Sequence, residues 1–252
     1  MQLFDWTRRG FIAVLRAAAL SGLAPALQAQ TPPGVLIVGQ IAEPKALDPA
    51  AVTAVNDFRI LMNVYDGLVR YKSGTLEVEP ALATSWTISE DGTEYTFKLR
   101  EGVTFHDGSA LTADVVKFNF DRMLQDDHPY HDTGPFPLSF FFSSIDATEV
   151  VDPLTVKFTL SAPYAPFLSN LAYPTGLIVS QAAVEKFGAD FGRNPSGTGP
   201  FKFAEWRSNE AVVVERNPDY WGNDLPCWKR SCSARLPMPT PAPRRCWRAA
   251  SI

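Results

Sequence analysis

FKLREGVTFHDGSALTADVVKFNF, Phe97 to Phe120, changes its periodicity partway along and so decides the fold class. Before Gly102, Tyr95, Phe97 and Leu99 alternate with polar neighbours, the period-two pattern of a strand with one wet face. Val103-Thr104-Phe105 reads as a further short strand, closed by the turn residues His106-Asp107-Gly108. The spacing then lengthens. Thr112 is a good N-cap, Asp114 suits the positive end of the helix dipole, and a helix is predicted from Ala113 to about Leu124. Strands and helices alternating at this pace place the chain in the α/β class, with hairpins that call for mixed rather than purely parallel sheets.

Working outward, Glu90-Asp91-Gly92-Thr93 supplies an Asp-Gly turn that pairs a strand carrying Trp86 and Ile88 with the one carrying Tyr95. Upstream, Phe58, Leu61, Met62 and Tyr65 recur at helical spacing, with Gly67 where a helix end favours a left-handed residue. Val35 to Gln40 is an apolar run suited to a buried strand. Downstream, Gln125 to Phe142 has no period and is long for a structureless connection. Ala147–Val151 and Thr155–Leu160 flank Asp152-Pro153 as a second hairpin, and Pro163 to Leu171 reads as a short helix. Ser180 caps a helix that Gly188 stops, and Phe201–Trp206 and Ala211–Glu215 are a last pair of strands.

The 252 residues are 46% hydrophobic and 20% charged, ordinary globular composition. Net charge is −4, but Lys229, Arg230, Arg235, Arg244, Arg245 and Arg248 lie in a tail without acids, so removing those six charges leaves −10 on the rest. An acidic body argues against a nucleic-acid partner. Arg8-Arg9-Gly10-Phe11-Ile12, an apolar run from Ala13 to Leu23 and small residues at Ala24-Pro25-Ala26 and Ala29 form an export signal. The paired arginines and the interrupting Arg16 resemble the twin-arginine type. The run is shorter than the roughly 20 apolar residues of a spanning helix. Cys227, Cys232 and Cys246 all fall in the tail, which is no disulfide framework.

Several segments in order resemble the extracellular solute-binding proteins of peptide and nickel ABC importers, the dipeptide- and oligopeptide-binding type known as family 5. They are Glu43–Pro49, Val64–Val69, Glu79–Trp86, Phe97–Gly108, Leu111–Val116, Gly197–Phe201 and Glu215–Gly222. The resemblance implies a periplasmic binding protein type II-like α/β fold with mixed sheets, here an incomplete first lobe with the second lobe missing. It divides the chain into a signal peptide (1–29), the start of lobe I (30–47), a lobe I subdomain (48–180) and a return to the lobe I core (181–226). The tail (227–252) is expected to be out-of-frame or disordered. Family members continue with a strand resembling Leu-Glu-Lys-Val-Val-Phe, where Trp228-Lys229-Arg230-Ser231-Cys232-Ser233 stands here. Codons for these six residues spell the family strand when one base precedes them, so a single-base deletion near codon 228 is expected.

The same resemblance implies a monomeric periplasmic protein, without cofactor or catalysis, that hands a peptide or similar small solute to an ABC importer membrane permease. The solute is left open among peptide, nickel chelate, opine and sugar. For ligand contact it points to Ile41, Ala42 and Glu43 after the first strand and to Tyr173, Thr175 and Gly176 in a turn facing the cleft. One lobe leaves a cleft open to water, so weak binding is expected of this chain alone, with apolar surface bared around Phe201 to Val214.

Rival chemistries have thinner support. His106, His128 and His131 are the only histidines and define the alternative of a metal (nickel)-binding protein or metalloenzyme, but they lack a carboxylate or thiolate at matched spacing. Gly197-Thr198-Gly199-Pro200 invites a phosphate-loop reading, yet neither Lys-Ser nor Lys-Thr follows and the next residues alternate like a strand. Neither a Gly-x-Ser-x-Gly elbow nor a cysteine with a neighbouring base is present.

Overall fold

The structure, a computed structural model, describes residues 32–222 and 229–235. The export signal, Cys227, Cys246 and most of the basic tail lie outside the described residues. Strand β1 (Val35–Gln40) leads to helix α1 (Val55–Val64), the short pair β2 (Val69–Tyr71) and β3 (Val78–Pro80), and then β4 (Ala83–Ile88) and β5 (Glu94–Leu99). Helix α2 (Ala113–Leu124), the hairpin β6 (Ile145–Asp152) and β7 (Thr155–Leu160), and helices α3 (Phe167–Leu171) and α4 (Gln181–Phe187) follow. The described chain closes with β8 (Phe201–Arg207), β9 (Ala211–Arg216) and β10 (Arg230–Arg235). Among the described residues no helix is long and apolar enough to cross a membrane.

Two sheets carry two cores. The antiparallel sheet β4-β5-β7-β6 buries Tyr95, Phe97, Phe158 and Leu160 against α2, whose Val116, Phe120 and Met123 face it. Edge-to-face contacts of Phe158 with Phe97 and Phe120, centroids 5.7 and 4.9 Å apart, set the packing. The mixed sheet β1-β10-β9-β8 has one parallel pair, β1 with β10, and receives α1 and α4 through Phe58, Leu61, Val64, Val184, Phe201, Val212 and Val214. Asn119 of α2 joins the halves: its Nδ2 donates to Val179 O (2.9 Å) and its Oδ1 accepts from Val179 N (2.9 Å).

Local chemistry explains most boundaries. Thr112 Oγ1 accepts from Val115 N, and Ser180 Oγ from Ala183 N, each satisfying a first-turn donor of its helix. Gly188 ends α4 at φ 52°. Four expectations change. The α1 helix stops at Val64 with Tyr65 extended, and Gly67 instead pairs with Leu177, where close backbone rather than a left-handed cap excludes a side chain. Val103–Phe105 is reduced to a single bridge, Thr104 to Ala110, because Phe105 spends its N–H and C=O within the 105–109 turn. The β1 strand is not buried: it ends the sheet among the described strands and Ile37 is 53% exposed. Phe201, Val212 and Val214 are buried rather than bared, because α1 and α4 cover them.

Part of the stretch after residue 226 lies among the described residues. Arg230–Arg235 are ordered as β10, parallel to β1 in the register Val35 to Arg230 and antiparallel to β9. Arg230 adds an ion pair with Glu215.

Candidate ligand-facing surface

The two segments singled out for ligand contact approach the same helix. After β1 the chain runs along the start of α1, where Asp57 Oδ1 accepts from Lys45 N (3.3 Å) and Asn56 Nδ2 lies 3.5 Å from Glu43 O. On the neighbouring flank of α1, Phe58 meets Tyr173 edge to face at 5.6 Å. Tyr173 also meets Phe141 at 5.4 Å, and Phe141 meets Phe140 at 4.6 Å. Four apolar side chains in these segments are exposed: Ile41 by 77%, Val55 by 65%, Met62 by 59% and Phe140 by 60%. Val55, Arg59 and Met62 recur at helical spacing along the outer face of α1. Exposed apolar groups concentrated on one surface mark a binding face more often than chance.

The six residues do not share one role there. Ile41 and Tyr173 reach the surface, with Ala42 half-buried between them and Glu43. Glu43 is engaged: Oε1 accepts from Trp206 Nε1 (2.7 Å) and Oε2 from Asn209 N (2.9 Å), which fastens the segment to the β8–β9 turn. Thr175 and Gly176 point inward, and a Cβ on Gly176 would fall 2.6 Å from Leu171 O. Sequence reasoning missed Phe58, Phe140 and Phe141, which the ring contacts bring to Tyr173 from segments far apart in the chain.

A large pocket lies elsewhere. About 540 Å³ in volume, it is lined by His106, Asp107, Ser109, Lys186, Ser196 and Lys202 among others, and by none of the six residues above. Its polar groups are bound to one another. Asp107 accepts from Ser109 Oγ (2.6 Å), Ser196 Oγ (3.0 Å) and Ser180 Oγ. Burial pushes the Asp107 carboxyl up, but these hydrogen bonds together outweigh it and the pKa lies below the ordinary value. His106 Nε2 donates to Gly199 O (3.0 Å) while Nδ1 accepts from Gly197 N (3.3 Å), an arrangement that requires the neutral ring. Burial holds its pKa down at about 4, against a partial rise from the Gly199 carbonyl.

A pH dependence follows. Between about 4 and the ordinary value near 6.5 the unfolded chain binds a proton at His106 that the folded chain refuses, so stability rises with pH across that window. His106→Gln is expected to flatten the fall in melting temperature from pH 6.5 to 4. Parallel curves for variant and parent would contradict this. Asp66, whose pKa is raised by burial, acts in the opposite sense above its ordinary value and does not mimic the effect.

Three of the quoted motifs converge on that same Asp66. Its Oδ2 accepts from Thr198 Oγ1 (2.9 Å) and Trp221 Nε1 (2.9 Å), and its Oδ1 from Tyr220 OH (3.4 Å). The Val64–Val69, Gly197–Phe201 and Glu215–Gly222 segments thus share one carboxylate as a clasp. The family model "Bacterial extracellular solute-binding proteins, family 5 Middle" matches residues 77–231.

The chain belongs to the family 5 extracellular solute-binding proteins.

This family binds solutes rather than catalysing reactions. Among curated relatives, a periplasmic protein of Escherichia coli K12 named "Probable D,D-dipeptide-binding periplasmic protein DdpA" is 37% identical over 229 residues, covering 87% of this chain and 43% of the relative. "Di/tripeptide-binding protein 2" of Pseudomonas aeruginosa is 39% identical, over 78% of this chain and 40% of its own. The solved DppA of Helicobacter pylori, in complex with the peptide STSA, superposes with TM-score 0.75 at 36% identity, over 81% of this chain and 43% of that one. The chain therefore spans less than half the length of these relatives. The fold is that of a type II periplasmic binding protein, and the described residues build one lobe of it.

Against that family background the histidines are structural. His106 holds the 197–199 loop, His128 Nδ1 accepts from Tyr130 N (3.2 Å), and His131 Nδ1 bonds Arg122 O (2.9 Å). Among the described residues no three His, Cys, Asp or Glu side chains form a metal-sized group.

Proposed function

We propose that this chain carries the first lobe of a periplasmic component of an ABC importer that captures peptides, and that the α1 face meets the ligand. The observation that carries this reading is that the Ile41–Glu43 and Tyr173 segments both contact α1, the one through Asn56 and the other through Phe58, while α1 exposes Val55 and Met62. Aromatic rings and exposed aliphatic side chains suit the apolar side chains of a short peptide, and the relatives named above include peptide binders. In the whole protein a second lobe closes on the ligand by a hinge motion and excludes water. The permease is the membrane partner, the binding protein acts as a monomer, and no cofactor takes part. Arg8-Arg9 and the following apolar run direct export by the twin-arginine route, with cleavage after Ala26 or Ala29.

A titration of the isotope-labelled chain with the dipeptide L-alanyl-L-phenylalanine, followed by amide NMR shifts, tests the assignment of this face. Shifts are expected at Ile41–Glu43, Val55–Arg59 and Tyr173, with half-saturation near 1 mM or weaker, the affinity of a site worth about 4 kcal/mol. Shifts confined to His106–Ser109 and Lys186–Ser196 would move the ligand to the large cavity and overturn it.

A further inference from the structure

Arg122 and Thr175 each bury a polar atom that lacks a hydrogen-bond partner among the described residues: Arg122 Nε and Thr175 Oγ1. The side chains are 1% and 3% exposed, so bulk water does not reach them. Both line one small cavity between α2 and the 173–176 turn, about 10 Å³ in volume, with Ala50, Asn119, Met123 and Ile178. That is the room of a single water molecule and of nothing larger.

The chemistry of the lining narrows the occupant further. Asn119 is committed, since its Nδ2 donates to Val115 O and Val179 O and its Oδ1 accepts from Val179 N. Arg122 Nη1 and Nη2 already reach the two oxygens of Asp48, at 3.1 and 3.3 Å, so the guanidinium charge is neutralised and an anion gains nothing by entering. What remains is one N–H that can only donate and one hydroxyl that can donate or accept. A water accepts from the first and bonds the second in either direction.

We propose that one ordered water is bound here, bridging Arg122 Nε to Thr175 Oγ1. Asp48, Arg122, the water and Thr175 then form a buried relay from the stretch that follows Ile41–Glu43 to the turn that begins with Tyr173. Thr175 is thereby a positioning residue for Tyr173, not a ligand contact.

The test is a crystal structure of the full chain at a resolution that shows ordered waters, for the parent, Thr175→Ser and Thr175→Val. The parent and the serine variant should show one density peak within hydrogen-bonding distance of Arg122 Nε and residue 175 Oγ, and the valine variant none. In solution, a water-to-amide NOE at Gly176 should be present in the parent and absent in Thr175→Val, which serves where a variant does not crystallise. A dry cavity in the parent, a direct bond between Arg122 and Thr175, or an NOE that survives in the valine variant overturns the proposal.

Discussion

Gly199→Ala is expected to cost at least about 3 kcal/mol, enough to leave much of the chain unfolded, because the new methyl meets backbone that cannot yield. A Cβ there would fall 2.5 Å from Val64 C and 2.7 Å from both Asn63 O and Val64 O. The closeness has a purpose: Gly199 N donates to Val64 O (2.9 Å) at the end of α1, while Gly199 O accepts from His106 Nε2 (3.0 Å) and Asn217 Nδ2 (3.1 Å). One residue therefore holds α1, the 106–109 turn and the segment after β9 together. Gly188→Ala is the control, since its methyl meets open space and carries only the backbone strain of φ 52° and ψ −125°, about 1–3 kcal/mol. Urea unfolding followed by circular dichroism separates the two. A Gly199→Ala midpoint no lower than that of Gly188→Ala would contradict the packing argument.

Arg122→Ala is expected to cost about 3–5 kcal/mol, chiefly by stranding the Asp48 carboxylate in the interior. The ion pair is buried on both sides, and Arg122 also donates to Thr133 Oγ1 (3.3 Å) and lies 5.2 and 5.8 Å from the rings of Phe136 and Phe191. Removing both charges should hurt less than removing one: Asp48→Leu with Arg122→Met should recover most of the loss, because a buried pair repays its own desolvation poorly. A double variant as unstable as Arg122→Ala alone would show that the pair itself, not the stranded charge, carries the energy.

Elements whose signals are local were legible. Thr112 and Ser180 cap the helices they were expected to cap, and Asp91-Gly92 turns the β4–β5 hairpin with Gly92 at φ 71°. Long-range features were not. Gly67 looks like a helix stop from its neighbours, whereas a Cβ there would crowd Val69 O (3.0 Å) and Leu171 O (3.2 Å), the second brought close only by folding. Phe201 to Val214 looked bare because a second lobe was expected to cover it, whereas α1 and α4 do. The Asp66 clasp draws on three motifs, yet nothing within any one of them announces a common carboxylate.

The proposed ligand face rests on family resemblance. Ile41 and Tyr173 reach that surface, but the inward turn of Thr175 and Gly176 depends on how Pro174–Gly176 winds back onto Leu171. The aromatic ladder that extends Tyr173 comes partly from 125–142, the stretch without a period, where Ser139–Phe142 forms a 3-10 turn.

Calorimetric titration of the purified chain with short peptides tests the proposal that it presents half of a peptide cleft. A single lobe leaves its polar contacts in competition with water, so no binding tighter than about 100 μM, some 5 kcal/mol, is predicted. Micromolar or tighter affinity would contradict the account, since the described lobe would then enclose its ligand without a second one.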